Sequence, residues 1–234
     1  MSEPRPLRGL QLDRVVLLGR TFAEYCGYFL LKPEEWRGKR VLDVAGGVSS
    51  FTAEANEAGI HAVSVDPIYS MSRDEIARRS GPDLDQVIAG VSGLPTYVWT
   101  AYRDPEHVRE LRQRAVARFL EDSSKNPQRY VAGAVPELPF GDRQFDLSLV
   151  SYLLFAYDRN FSYEFHRDAL LELMRVTRGE ARIYPTVNFE AEPSRFVERL
   201  KGDPACVDFC FEIVPTDFEF LVGSNRFLRV SHRG

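Results

Sequence analysis

Apolar positions along this chain change their period several times, and each change predicts an element. From Leu10 to Leu31, Val15, Leu18, Phe22, Tyr25 and Phe29 recur three or four residues apart, the spacing of one helix face. Gly19 and Gly27 weaken one unbroken helix there and leave two shorter pieces as the alternative. Arg40–Val44 then reads as a buried strand, Gly46-Gly47 as a turn, and Ser49–Ala58 as a helix with Ser49 or Ser50 at its N-cap. Ile60–Val65 is a second strand, stopped by Asp66-Pro67. Later strands are predicted over Tyr130–Ala134, Phe145–Val150 and Ala181–Val187, with helices over Phe161–Thr177 and Pro193–Leu200. Phe209–Val214, Glu219–Val222 and Phe227–Ser231 read as short strands separated by turns.

About sixty residues separate the second and third strands, far more than a crossover requires. This stretch, residues 68–128, is read as an insertion. It holds a short helix near Arg73–Arg79, a Gly/Pro segment at 90–95, the aromatic cluster Tyr97, Trp99 and Tyr102, and a helix from Pro105 to Leu120. Insertions of this length serve as functional lids or are mobile. Strands alternating with helices predict an α/β fold, a doubly wound and mostly parallel sheet covered on both faces. The strand-rich tail adds a C-terminal antiparallel hairpin, and the helical insertion follows the second strand. The expectation is a single domain over 1–234, with an N-terminal helical segment at 1–35.

Composition narrows the class without changing the fold. The 234 residues are 44% hydrophobic and 27% charged, as in an ordinary globular domain, so a fibrous or wholly disordered chain is excluded. No apolar run approaches the ~20 residues that cross a bilayer, and Met1 to Pro6 lacks the apolar stretch of a secretory signal. A formal net charge of -4 argues against a broad nucleic-acid-binding field. The three cysteines, Cys26, Cys206 and Cys210, give no disulfide framework and no four-ligand metal set. The reading is therefore cytoplasmic, with neither nucleic acid, membrane nor metal as partner.

The informative chemistry lies where the first strand ends. Val41-Leu42-Asp43-Val44-Ala45-Gly46-Gly47 runs into small residues and then a helix N-terminus, whose free N–H groups and partial positive charge suit a polar ligand. Asp43 is an acid near the end of an otherwise apolar strand, and a buried carboxylate needs partners. Asp66 ends the second strand, where an acid reaches the two hydroxyls of a ribose. Neither G-x-G-x-x-G nor G-x-x-x-x-G-K-[ST] is present, which disfavours a dinucleotide oxidoreductase and a phosphate-cradling loop. The two acids together, one strand–helix–strand unit apart, point to a nucleoside ligand.

Over residues 36–187 the sequence resembles the class I S-adenosylmethionine-dependent methyltransferases. The matching features are Val41–Gly47, Asp66, and Leu138-Pro139-Phe140-Gly141-Asp142-Arg143-Gln144-Phe145-Asp146-Leu147, which is similar to that family's passage into the fourth strand. The resemblance implies S-adenosylmethionine as cofactor. Ala45, Gly46 and Gly47 would line its methionine moiety, and Asp43 would stabilise the loop or the ammonium group. Asp66 would hold the ribose, with Pro67 and Ile68 against one face of the adenine and Ala134 and Val135 on the other. Ser151 and Tyr152 would face the reacting end, and Arg20 and Tyr25 would close over the cofactor. The family's glycine positions read Ala45, Gly47 and Ser49 here, and Ala134 stands where an Asp often precedes the adenine contact.

Substrate chemistry is less legible. The aminomethylation motif after the fourth strand is replaced by Ser151-Tyr152-Leu153-Leu154, and no Pro-Cys nucleophile is present. Trp99, Tyr102, Arg103 and His107 in the insertion are the candidates for binding a small-molecule substrate, set against an equal chance that they are a core patch. The arginines Arg109, Arg112, Arg114 and Arg118 alternate with Glu106 and Glu110 and read as a solvated, ion-paired face. The leading expectation is methyl transfer to a small molecule by direct displacement, with no catalytic residue assigned. A non-catalytic nucleoside-binding or partner protein on the same fold is the alternative. The methyl acceptor and the oligomeric state stay open.

Overall fold

In the computed structural model, residues 9, 10, 12 and 14–233 are described. The Pro/Arg-rich stretch before Gly9 lies outside them. Helix α1 (Phe22–Phe29) starts at Thr21, whose hydroxyl accepts from the Glu24 N–H while the Glu24 carboxylate accepts from the Thr21 N–H. That reciprocal cap satisfies two donors that a helix start leaves free. A short turn of helix, α2 (Pro33–Trp36), leads into β1 (Arg40–Val44), α3 (Phe51–Glu57) and β2 (His61–Val65). The insertion carries two long helices, α4 (Arg73–Val91) and α5 (Pro105–Lys125). The chain continues through β3 (Tyr130–Val131), β4 (Phe145–Ser151), α6 (Tyr163–Val176), β5 (Thr177–Tyr184), α7 (Arg195–Lys201), β6 (Phe209–Pro215) and β7 (Arg226–His232).

The seven strands form one sheet in the order β3-β2-β1-β4-β5-β7-β6. The first five pair in parallel, and β7 and β6 close the far edge as an antiparallel hairpin. The predicted fold class is therefore the observed one. Alternation along β1 sends Leu42 and Val44 into a core shared with α6 and α7, and Val41 into one shared with α1 and α3. Asp43 lies on the Val41 side, beneath α1.

Three local expectations are corrected. The helical spacing read over Leu10–Leu31 holds only for α1, and residues 14–20 form no helix. There the chain is an extended strap. Val16 and Leu18 pack with one apolar cluster, while Leu17, between them, packs with Val48, Ile68 and Phe119 in another. Its backbone is held from outside: the Leu17 N–H donates to Asp83 Oδ2 (2.7 Å), the Val16 N–H to the Tyr157 hydroxyl (3.3 Å), and the Arg20 carbonyl accepts from the Ser50 N–H (3.0 Å). Gly19 is required, because a Cβ there would run into the Val48 carbonyl.

Glu219–Val222 is not a sheet strand. Its backbone pairs with the insertion instead, Val98 N–H to Phe220 O and Val222 N–H to Thr96 O, both at 2.8 Å. The helix read at Arg73–Arg79 runs on to Val91, through Pro82. The insertion is thus built mainly of these two helices and is fastened to the C-terminal region through residues 96–98. Among the described residues no helix is long and apolar enough to cross a membrane.

Candidate functional site

The strand order reverses between β1 and β4, and a cavity of about 560 Å³ opens at the carboxyl ends of the strands there. One wall is the loop after β1. Ala45 (φ 57°) and Gly47 (φ 54°) both adopt left-handed backbone, which costs an alanine roughly 1–2 kcal/mol that a glycine does not incur. The loop is held by Ala45 N–H to Val65 O (2.8 Å) and by the Tyr69 hydroxyl donating to Gly47 O (2.8 Å). Gly46 is confined by what lies beneath it, since a Cβ would meet Ser64 Oγ and the Asp43 carboxylate. Ser49 fastens the loop to the strap: its hydroxyl donates to Arg20 O (2.6 Å) and accepts from the Phe51 N–H (3.2 Å).

The two acids differ in role. Asp43 does not line the cavity. It is 1% exposed, accepting from the Tyr25 hydroxyl (2.8 Å) and from Ser64 Oγ (3.2 Å). Burial pushes its carboxyl up to about 7, against those two hydrogen bonds. Asp66 does line the cavity. Its Oδ2 accepts from the Gly47 N–H and its Oδ1 from the Ile68 N–H, each at 3.0 Å. Burial raises its carboxyl too, in spite of both N–H donors. A carboxylate has about four acceptor positions, so two remain for a ligand.

Pro67, Ile68, Ala134 and Val135 line the same end of the cavity, and Ser151 and Tyr152 line it just past β4. Tyr152 also has left-handed backbone (φ 53°). Its ring lies 3.9 Å from the Arg20 guanidinium carbon, a cation–π distance. Arg20 lines the cavity and donates to Leu18 O (3.2 Å). Among the described residues no carboxylate lies within ion-pair distance of it. Tyr25 lines the cavity with its hydroxyl turned to Asp43.

The four residues expected at a substrate end do not line this cavity. Trp99 packs edge-on against Phe220. Arg103 is exposed and pairs with Glu110 at 3.5 Å. His107 Nδ1 accepts from the Arg103 N–H (3.2 Å), and its own N–H donates to the Asp104 helix cap. Tyr102 is buried and donates to Glu24.

The residue that sequence reasoning missed is Arg112. It lines the cavity and is 3% exposed, bonded through Nη1 to Glu24 (2.7 Å) and through Nη2 to the Tyr102 hydroxyl (3.0 Å). For Glu24, burial alone would raise the carboxyl, but Arg112 and the hydrogen bonds outweigh it and hold it below the usual range. The available signal was its phase: Val108, Arg112, Ala115 and Phe119 share one buried helix face. Arg109 and Arg118 do form the expected exposed ion pairs.

No family model matches the chain. It is 35% identical, over 224 residues, to an uncharacterized protein of Methanocaldococcus jannaschii, covering 95% of this chain and 98% of that one. Among solved structures it is similar to the 1,6-didemethyltoxoflavin-N1-methyltransferase of Burkholderia thailandensis, which has 1,6-didemethyltoxoflavin and S-adenosylhomocysteine bound. That match has 15% identity, a TM-score of 0.45, and covers 88% of this chain and 75% of that one. It is also similar to the magnesium protoporphyrin IX methyltransferase of Synechocystis PCC 6803 with bound SAM, at 12% identity and a TM-score of 0.44, covering 88% and 75% of the two chains. Likenesses this distant carry no argument about chemistry. The chain's own strand order has five parallel strands and a closing antiparallel pair, the architecture expected from the sequence. By sequence the chain belongs to the family of the Methanocaldococcus jannaschii protein, and its sheet is the doubly wound, mostly parallel one that the resemblance to class I S-adenosylmethionine-dependent methyltransferases implies.

Proposed function

We propose that this protein transfers a methyl group from S-adenosylmethionine to a small-molecule acceptor by direct displacement. The observation that carries the reading is Asp66. Its carboxylate ends β2, is fixed by the Gly47 and Ile68 amides, and keeps acceptor capacity toward the cavity, as a ribose diol needs. Pro67, Ile68, Ala134 and Val135 offer the apolar slot that an adenine fills. Ala45, Gly46 and Gly47 present backbone with little side-chain bulk to the methionine moiety. Arg20, with no carboxylate partner among the described residues, would take that moiety's carboxylate, while Tyr25 and Asp43 brace the loop from below. The bound cofactor supplies a methyl made electrophilic by its sulfonium. The chain's own work is to align an acceptor at Ser151 and Tyr152 and to keep water out, and alignment carries much of such a reaction.

Ala45 in left-handed backbone favours a second reading, a nucleoside-binding protein that does not catalyse. Titration with S-adenosylhomocysteine tests the cofactor. Micromolar binding, about -8 kcal/mol, is expected, and no heat at millimolar ligand overturns the proposal. Methyl release over a metabolite pool then separates catalysis from binding alone.

A further inference from the structure

Beyond the nucleoside end, the cavity wall is apolar and aromatic, built by Val16, Val87, Val91, Tyr97, Val108 and Phe220 among others. Two features of its chemistry define what fits. First, among the described residues no His, Lys, Cys or Glu lines the cavity, and the one carboxylate that does, Asp66, is committed to the nucleoside end. The tyrosine hydroxyls on the wall stay protonated and accept no proton: burial raises Tyr97 and Tyr152, and pushes Tyr157 up to about 12. Second, the charged groups on the rest of the wall are guanidiniums. Arg112 is neutralised by Glu24 behind it, and Arg20 lies over Tyr152. A cationic acceptor would face the sulfonium with no carboxylate among the described residues to offset the repulsion, in a setting where water screens little. A neutral acid would find no base among the described residues to take its proton.

Resting on the proposed function, we infer that the methyl acceptor is an apolar-bodied weak acid, an aryl thiol or phenol in type, that binds as its conjugate base. Its proton is lost to water before binding. A lone pair on its sulfur or oxygen forms the bond to the methyl carbon. The sulfonium–methyl bond breaks with its electron pair left on the cofactor sulfur. Anion and sulfonium become two neutral products, a change that an apolar cavity favours.

Calorimetry on the whole chain at pH 8 tests this, with two probes on one body: 2-naphthalenethiol, ionised at that pH, and (2-naphthyl)methylamine, protonated. With S-adenosylhomocysteine saturating, the thiolate is expected to bind at least ~10-fold more tightly than the ammonium. Replacing it with sinefungin, which bears an ammonium where the methyl-sulfonium would be, should widen the gap. Val15 lines the cavity yet is 40% exposed, so Val15→Asp adds a carboxylate without opening the core. That variant should narrow the gap about tenfold. The unaltered protein gives the main comparison, whatever the variant does. If S-adenosylhomocysteine gives no heat, the proposed function falls and this inference with it. If it binds but the ammonium is held as tightly as the thiolate or more so, only this inference falls.

Discussion

Gly46 and Asp43 form a stacked pair in which one residue's missing side chain makes room for the other's buried carboxyl. Gly46→Ala should therefore abolish S-adenosylhomocysteine binding and lower the melting temperature, because the new Cβ meets Ser64 and the Asp43 carboxylate. A variant that binds normally would show that the loop has slack. Asp43 also sets a pH dependence. Its folded value of about 7 lies above the ordinary 3.8, so the folded state keeps a proton that the unfolded state releases. The stability this confers is complete below the unfolded value and is lost as pH rises through about 7. Urea unfolding at pH 5 and pH 8 should show a loss of about 2–3 kcal/mol from this source, and Asp43→Asn should remove it. Asp66→Ala should weaken cofactor binding by about 1–3 kcal/mol through lost hydrogen bonds, with the fold intact by circular dichroism. Unchanged affinity would take Asp66 out of the site. Both acids were visible in the sequence because a charge in an apolar strand, or at its end, demands a partner. The division of labour between them was not, because it depends on which face of β1 and which end of β2 the cavity meets.

At the scale of elements, the insertion and α1 are joined by a buried charge. Glu24 sits in the first turn of α1, Arg112 in the middle of α5, and Tyr102 in the loop before α5. Removing one partner leaves the other charge buried and unpaired, so Arg112→Met alone should cost about 3–5 kcal/mol in chemical unfolding. Glu24→Gln combined with Arg112→Met should cost less than the sum of the two single changes, and strict additivity would mean the pair is not coupled. The helices and strands of the alternating core were legible because their apolar faces pack on one sheet, so period and element coincide. The strap was not. Val16 to Leu18 are apolar on both sides because the segment threads between two clusters, and an extended chain packed on both sides has no polar face to reveal its period. Glu219–Val222 misled for a related reason. It pairs as a strand does, but with residues 96–98 of the insertion rather than with the sheet.

For the molecule as a whole, the strap is a cover over the cavity. Its side chains line the space, and its backbone is latched to α4 by Asp83, which also pairs with Arg14. Burial alone would raise the Asp83 carboxyl, but Arg14 and the Leu17 amide hold it below the usual range. Asp83→Asn keeps the shape and drops the charge. It should speed S-adenosylhomocysteine release severalfold and raise hydrogen exchange at Leu17, and unchanged exchange would show that the latch lies elsewhere.

The strap's partners have one more consequence. The Val16 amide meets Tyr157 and the Leu12 carbonyl meets Asn160, contacts that span 141 and 148 positions of sequence. On a ribosome adding roughly 5–20 residues per second, the strap waits on the order of ten to thirty seconds for the side chains that fasten it. Through that interval the nascent chain displays Val15 to Leu18 unsheltered, so the same residues that come to line the cavity are open to a chaperone until their partners are made.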